Sequence, residues 1–212
     1  MSNGNAVTLR TAGRDPGARA PAPGSLRLIQ ALVNTLNAEH GIDLLGTRAE
    51  AAAWLTAAGL LAAGARPLTG AEQQAFTELR EAIRGVLAAH ADRVDNPAAA
   101  SRLSVALSSC RLGLAVEPSG AVRITCADHD PFTRAIGAVA SAIAEAAVAG
   151  TWARLKSCPG HLCGWAFYDR SASGRSRWCA MQLCGSRSKM RDYRGRQARQ
   201  PAQLPSGTAQ AP

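Results

Sequence analysis

Cys158, Cys163, Cys179 and Cys184 are the residues of this chain whose type and spacing could do chemistry. They fall as C-x4-C, a gap of fifteen residues, then C-x4-C. Two close cysteine pairs joined by a loop that folds back as a hairpin can wrap one tetrahedral zinc ion, each pair supplying two thiolates from one tight turn. A disulfide or thiol-redox reading is the alternative. It lacks a C-x-x-C pair, and reduced cytosolic thiols favour metal. The other two cysteines, Cys110 and Cys126, stand isolated in the sequence and read as small buried hydrophobes.

Charge singles out the same region. Residues 1–150 hold thirteen Lys/Arg and thirteen Asp/Glu, whereas residues 151–200 hold eleven basic side chains against Asp169 and Asp192. The full formal charge of +9 therefore lies in or just after the cysteines. A lopsided module of this kind suggests a polyanionic partner, with nucleic acid the first candidate. The plainer reading is that the cations balance a tetrathiolate zinc centre of charge about −2 and otherwise face water, yet so small a charge does not need eleven cations. After Cys184 the chain reads GSRSKMRDYRGRQARQ. Arg187, Arg191 and Arg194 recur at helical spacing, and Lys189 and Arg196 extend the basic surface. Gly195 weakens that helix by about 1 kcal/mol relative to alanine. Ser171 to Ser176 reads as the tip of the hairpin, offering Arg175 and hydroxyls to phosphates. Arg177 stands just before Trp178 and Cys179.

The elements that must position this module are mainly helical. Residues 1–24 and 201–212 read as disordered tails. Ser25 can cap a helix running to His40 with Gly41 as terminator. Thr47 to Glu50 and Thr69 to Glu72 match the capping box. The first opens a helix containing Trp54 as a core anchor. The second opens the longest helix, Ala71 to about Ala91, with Phe76, Leu79, Ile83, Val86 and Leu87 on its inner face. Asn96-Pro97 starts a fourth helix through Ser109. Short alternating runs at 112–116 and 122–126, around Pro118-Ser119-Gly120, read as a β-hairpin. Asp130-Pro131 starts a fifth helix, apolar almost all round, which can continue past Gly150 to Lys156. Trp165, Phe167 and Trp178 read as a miniature core over the metal, with Tyr168 and Tyr193 as candidate stacking platforms. The expected fold is thus mainly α: a helical domain with a small β-hairpin over 25–150, followed over 151–200 by a four-cysteine zinc finger made of a short β-hairpin and a basic helix.

Several function classes find no support. There is no G-x-x-x-x-G-K loop and no H-E-x-x-H. No convergent titratable cluster shows in residues 25–150, so no enzyme is expected. His40 and His90 sit at helix ends, His129 precedes a cap, and His161 lies inside the first cysteine loop, where four cysteines already complete the site. The first residues lack a continuous apolar run, so no signal peptide is expected. Nothing reaches the length of a membrane span. A cytoplasmic protein is the expectation.

At the C-terminal cysteines a family resemblance appears. The segment from Cys158 to Arg194 resembles the CGNR zinc finger, which shows a C-x4-C pair, an aromatic-rich strand with Asp and Ser, then R-W-C-x-M-x-x-C-G-N-R and a basic tail. The matching stretches are Arg177-Trp178-Cys179-Ala180-Met181 and Cys184-Gly185-Ser186-Arg187. The family's asparagine is Ser186 here. The preceding residues are similar, more loosely, to the ABATE domain, through Leu32 to Leu36, Asp43 to Leu55 and Leu79 to Arg84. Such proteins are bacterial and are taken to be stress-linked transcription regulators. The resemblance implies one structural zinc ion on Cys158, Cys163, Cys179 and Cys184, and a regulator that binds nucleic acid, with duplex DNA the expected partner. Arg175, Arg177, Arg187, Lys189, Arg191, Arg194 and Arg196 are the candidate contacts. The helical domain would sense a small molecule or form a homodimer. An RNA-binding or ribosome-associated module, and a ligand-binding helical domain with a purely structural finger, remain open alternatives.

Overall fold

The computed structural model describes residues 9–199; residues 1–8 and the whole expected C-terminal tail, 201–212, lie outside the described residues. The body begins with α1 (Leu26–Val33), followed by a two-residue bridge of β1 (Leu36–Asn37) with β2 (Ile42–Asp43), and then α2 (Arg48–Ala57). Next come α3 (Gly70–Asp92) and α4 (Pro97–Leu107). An antiparallel hairpin of β3 (Leu112–Val116) and β4 (Val122–Cys126) leads to α5 (Pro131–Val148). The C-terminal part holds β5 (Leu155–Ser157) paired with β6 (Ala166–Tyr168), a turn of π-helix at Met181–Gly185, and α6 (Ser186–Arg199). The mainly α architecture with small hairpins matches the expected fold class.

The helix starts follow their local chemistry. Thr69 accepts from the Glu72 amide, and the Glu72 carboxylate takes the Thr69 amide in return, completing a capping box. Asn96 and Asp130 cap α4 and α5, each followed by proline in the first turn. Thr47 accepts from the Glu50 amide. Phe76, Leu79, Ile83 and Leu87 of α3 are fully buried, and Trp54 anchors α2 in the same core. The indole of Trp54 donates to the Arg10 carbonyl.

Five expectations need correcting. The first helix ends at Val33 and does not run to His40. Asn34 is drawn into tertiary hydrogen bonds, and the Thr35 hydroxyl donates to the Leu32 carbonyl, so the chain turns away. Ser25 makes no side-chain cap. Residues 9–24 are not a disordered tail but a strap over the C-terminal module. Ala12 and Ala22 are buried, and the strap is held by hydrogen bonds that no sequence periodicity announces. The fifth helix does not continue to Lys156. Gly150 takes a positive φ of 66°, a single turn of tighter helix follows at Trp152–Arg154, and the chain then enters β5. Finally, the finger's paired strands flank the first cysteine loop, so 171–176 is not the tip of that hairpin.

A buried arginine ties body elements together. Arg80 on α3 is 2% exposed and grips both carboxylate oxygens of Asp43, while also donating to the Thr35 hydroxyl. Burial pushes the Asp43 carboxyl up, but the Arg80 guanidinium and the Leu45 amide outweigh it and hold the group below its ordinary value.

Candidate metal centre and basic surface

Cys158 leaves the end of β5, and Cys163 stands three residues before β6, so one short loop presents both sulfurs. Cys179 and Cys184 arrive at the π-turn that opens into α6. All four sulfurs lie within 4.8 Å of one another. Cys163 and Cys179 are 3.7 Å apart, as are Cys179 and Cys184. A tetrahedron of thiolates about 2.3 Å from zinc puts its sulfurs about 3.8 Å apart. The donor set and its spacing therefore fit one zinc ion held by Cys158, Cys163, Cys179 and Cys184. His161 is exposed and is not among the grouped ligands.

The sulfurs titrate as a group. Hydrogen bonds from Cys163 and Cys179 draw Cys158 down to about 2. Cys163 is pushed up to about 12 by its bond with Cys158, and Cys179 and Cys184 are also raised. Metal binding must displace the protons these thiols hold, so affinity for zinc rises with pH. Packing buries Cys158, Cys179 and Cys184 and leaves Cys163 partly exposed. Trp165, Phe167 and Ala180 form a small buried cluster with the cysteines, as the aromatic pattern predicts. A Cβ on Gly185 would stand 2.5 Å from the sulfur of the exposed Met181 side chain, which would have to swing aside. Ser186, where the CGNR pattern has asparagine, donates its hydroxyl to the Met181 carbonyl across the π-turn.

A buried ion pair organises the loop that delivers the second cysteine pair. The Lys156 ammonium is 2% exposed and donates to Asp169 Oδ2 at 2.9 Å and to the carbonyls of Gly174 at 2.7 Å and Ser176 at 3.0 Å. Its three hydrogens are all spent. Asp169, with no exposed surface, also accepts from the Ser171 amide and hydroxyl and from the Ser176 amide. Burial raises the Asp169 carboxyl, but these donors together hold it well below the usual carboxylate range. The Ser171 hydroxyl expected to meet phosphate is thus committed to Asp169, and Lys156 is removed from the surface charge.

The finger is welded to the body by residues that motif reading missed. Asn34 accepts from the Ala166 amide at 2.7 Å and donates to the Ala166 carbonyl at 2.9 Å, and Gln30 also donates to that carbonyl. Arg84 on α3 donates to the Gly164 and Val33 carbonyls. His90 meets the Leu155 carbonyl at 2.9 Å. From the strap, Arg19 donates to the carbonyls of Trp178 and Cys179 and lies over the Phe167 ring, and Asp15 accepts from the Trp165 indole. A Cβ on Gly17 would stand 2.3 Å from the Cys179 carbonyl oxygen. The available signal was polar residues set among apolar helical positions: Gln30 and Asn34, and Arg80 and Arg84, each pair one helical turn apart.

The seven candidate contacts are all exposed but not equivalent. Arg177 pairs with Asp92 and stacks on Trp178, and Arg187 pairs with Glu39. Arg175, Lys189, Arg191, Arg194 and Arg196 form no ion pair among the described residues. On α6, Arg187, Arg191 and Arg194 share one face, while Lys189 and Arg196 lie on the other. Tyr193 is exposed on the same helix, whereas Tyr168 is buried with the body core and cannot serve as an open stacking platform. A cleft of about 1020 Å3 separates α3 and α4 from the first cysteine loop, with Glu78, Arg102 and Val105 on one wall and Pro159 and Leu162 on the other. No helix among the described residues is long and apolar enough to cross a membrane.

Comparison with known proteins agrees with this anatomy. Residues 154–197 match the CGNR zinc finger family, and residues 26–150 match ABATE, described as "Putative stress-induced transcription regulator". No curated protein matches the chain. With more than half its length matched to ABATE and its cysteine cluster inside the second match, the chain belongs to the ABATE family and carries a CGNR zinc finger.

Proposed function

We propose that this chain is a zinc-dependent, DNA-binding transcription regulator of the bacterial cytoplasm. The observation that carries the reading is the contrast between a body of zero net charge and a metal-anchored helix and loop that hold five exposed cations with no ion-pair partner among the described residues. Arg175, Lys189, Arg191, Arg194 and Arg196 contact phosphates. Arg177 and Arg187 join them only by releasing Asp92 and Glu39. Cations without an intramolecular carboxylate can release counterions from a duplex at no competing cost.

The helical body serves as the sensing or dimerising part. The cleft between α3, α4 and the cysteine loop supports a sensing role, since a small molecule seated there would touch both body and finger. The exposed Leu114, Val116 and Val122 of the β3–β4 hairpin support dimerisation.

Salt-titrated binding of the zinc-loaded protein to mixed-sequence duplex DNA tests the proposal. Five neutralised phosphates give a log–log slope of roughly −4.5. A slope near zero at full zinc occupancy would overturn it and leave the finger as a structural clip. Preferential competition by structured RNA would transfer the same surface to an RNA partner.

A further inference from the structure

Cys110 and Cys126 stand apart from the metal centre, and the fold brings them together. Cys110 follows the end of α4, and Cys126 closes β4 just before α5. Their sulfurs are 3.3 Å apart, and both side chains are only partly buried. The facing helix is shaped for them. Gly137 lies in the interior of α5, where glycine weakens a helix relative to alanine. A Cβ at that position would stand 2.7 Å from the Cys126 sulfur and 2.9 Å from the Cys110 sulfur. The notch left by Gly137 is where the two thiols meet.

We propose that Cys110 and Cys126 are a reversible redox pair that a hydroperoxide converts to a disulfide, independently of the zinc centre. Closing the bond shortens the sulfur separation from 3.3 Å to about 2.05 Å, a shift that two flexible side chains can share. Cytosolic disulfides of this kind are transient and redox-sensing. The Cys110 thiol donates to the Cys126 sulfur, and the Cys126 thiol donates in turn to the Thr133 carbonyl, so Cys126 attacks once it has shed its proton and Cys110 resolves. Burial, followed by the bond to Cys126, pushes Cys110 up to about 12. Cys126 thiolate attacks one oxygen of the hydroperoxide, forming an S–O bond and breaking the O–O bond, and the departing alkoxide takes up a proton to leave as alcohol. Cys110 then attacks the sulfenic sulfur. The S–S bond forms, the S–O bond breaks, and hydroxide leaves as water with the Cys110 proton. Two thiols lose two electrons to one hydroperoxide, and an external dithiol reverses the change.

The bond would tie the exit of α4 to the entry of α5. α4 also lines the cleft beside the first cysteine loop, so oxidation bears on a wall shared with the finger. The test treats the full zinc-loaded chain with hydrogen peroxide, alkylates free thiols, and maps tryptic peptides while zinc content is followed. Cys110 falls in peptide 103–111 and Cys126 in peptide 124–134, so the linked pair is distinct. The expected result is that linked peptide, lighter by two hydrogens, with zinc retained and the link removed by dithiothreitol. In Cys110→Ser, Cys126 should stop at a sulfenic acid trapped by dimedone. The proposal is overturned if Cys110 and Cys126 stay alkylatable while zinc is released, or if Cys126 links to a second chain instead. The wild-type mapping decides the matter even if the variant fails to fold.

Discussion

The body and the finger solve the problem of a stable fold in opposite ways. The body surrounds α3 with apolar side chains and needs one buried charge cluster, Arg80 with Asp43, to fix a bridge. The finger has only a handful of buried apolar side chains and relies on four sulfurs and the Lys156–Asp169 pair. A module of about forty residues rarely buries enough surface to stand alone, so metal replaces core. The finger is nonetheless no free bead on a string. Leu155, Ala166 and Tyr168 belong to the body's core, and Asn34, Arg84, His90 and Arg19 hold the finger's backbone.

Zinc removal puts the largest strain on that contrast. Structural zinc sites carry on the order of 10 kcal/mol of apparent binding energy. Cys179→Ser should lose the ion and, because β5 and β6 pack in the body, lower the unfolding temperature of the whole chain. Calorimetry with metal analysis checks this; an unchanged body transition would show that the two regions fold independently. Lys156→Met comes next. It leaves Asp169 buried without its cation, and breaking such pairs from one side costs about 3–5 kcal/mol. Chemical denaturation should show that loss, together with weaker zinc retention against a chelator.

Asn34→Ala tests the weld itself. It orphans the Ala166 amide, while Gln30 still serves the carbonyl; one unsatisfied buried group costs about 1–3 kcal/mol, and hydrogen exchange should rise first at β6. Acid sharpens the comparison further. Asp43 in the body and Asp169 in the finger are both held below their ordinary values. Their contribution is full above the unfolded carboxylate value near about 3.9 and is lost as pH falls through the folded values. Denaturation midpoints should therefore drop below about pH 4, less steeply in Asp43→Asn. The smallest structural effect belongs to the cations. Arg191→Gln should leave stability unchanged while reducing the salt slope on DNA by about 0.9; an unfolded α6 would instead reveal a packing role.

The zinc ligands, the capped helix starts at Thr69, Asn96 and Asp130, and the body hairpin were legible because each is a local pattern. Cysteine spacing reports a loop that can hold metal, and a cap is a hydrogen bond spanning three residues. Arg80, Arg84, Asn34 and Lys156 were not legible, because their partners lie between 13 and 132 positions away along the chain. The excess charge was read correctly as a sum, but not as a surface: Lys156 is spent on Asp169, and Arg177 and Arg187 hold carboxylates of the body.

Sequence alone determined that four cysteines have the spacing to hold a metal next to a basic segment, since those properties follow from residue type and short spacing. Tertiary structure alone decided that the N-terminal strap clamps the finger, that β5 and β6 complete the body's core, and that Cys110 meets Cys126 across the Gly137 notch. The physical reason is range. A cap or a ligand loop closes within a few residues, whereas a buried hydrogen bond or a thiol pair exists only once distant segments have packed.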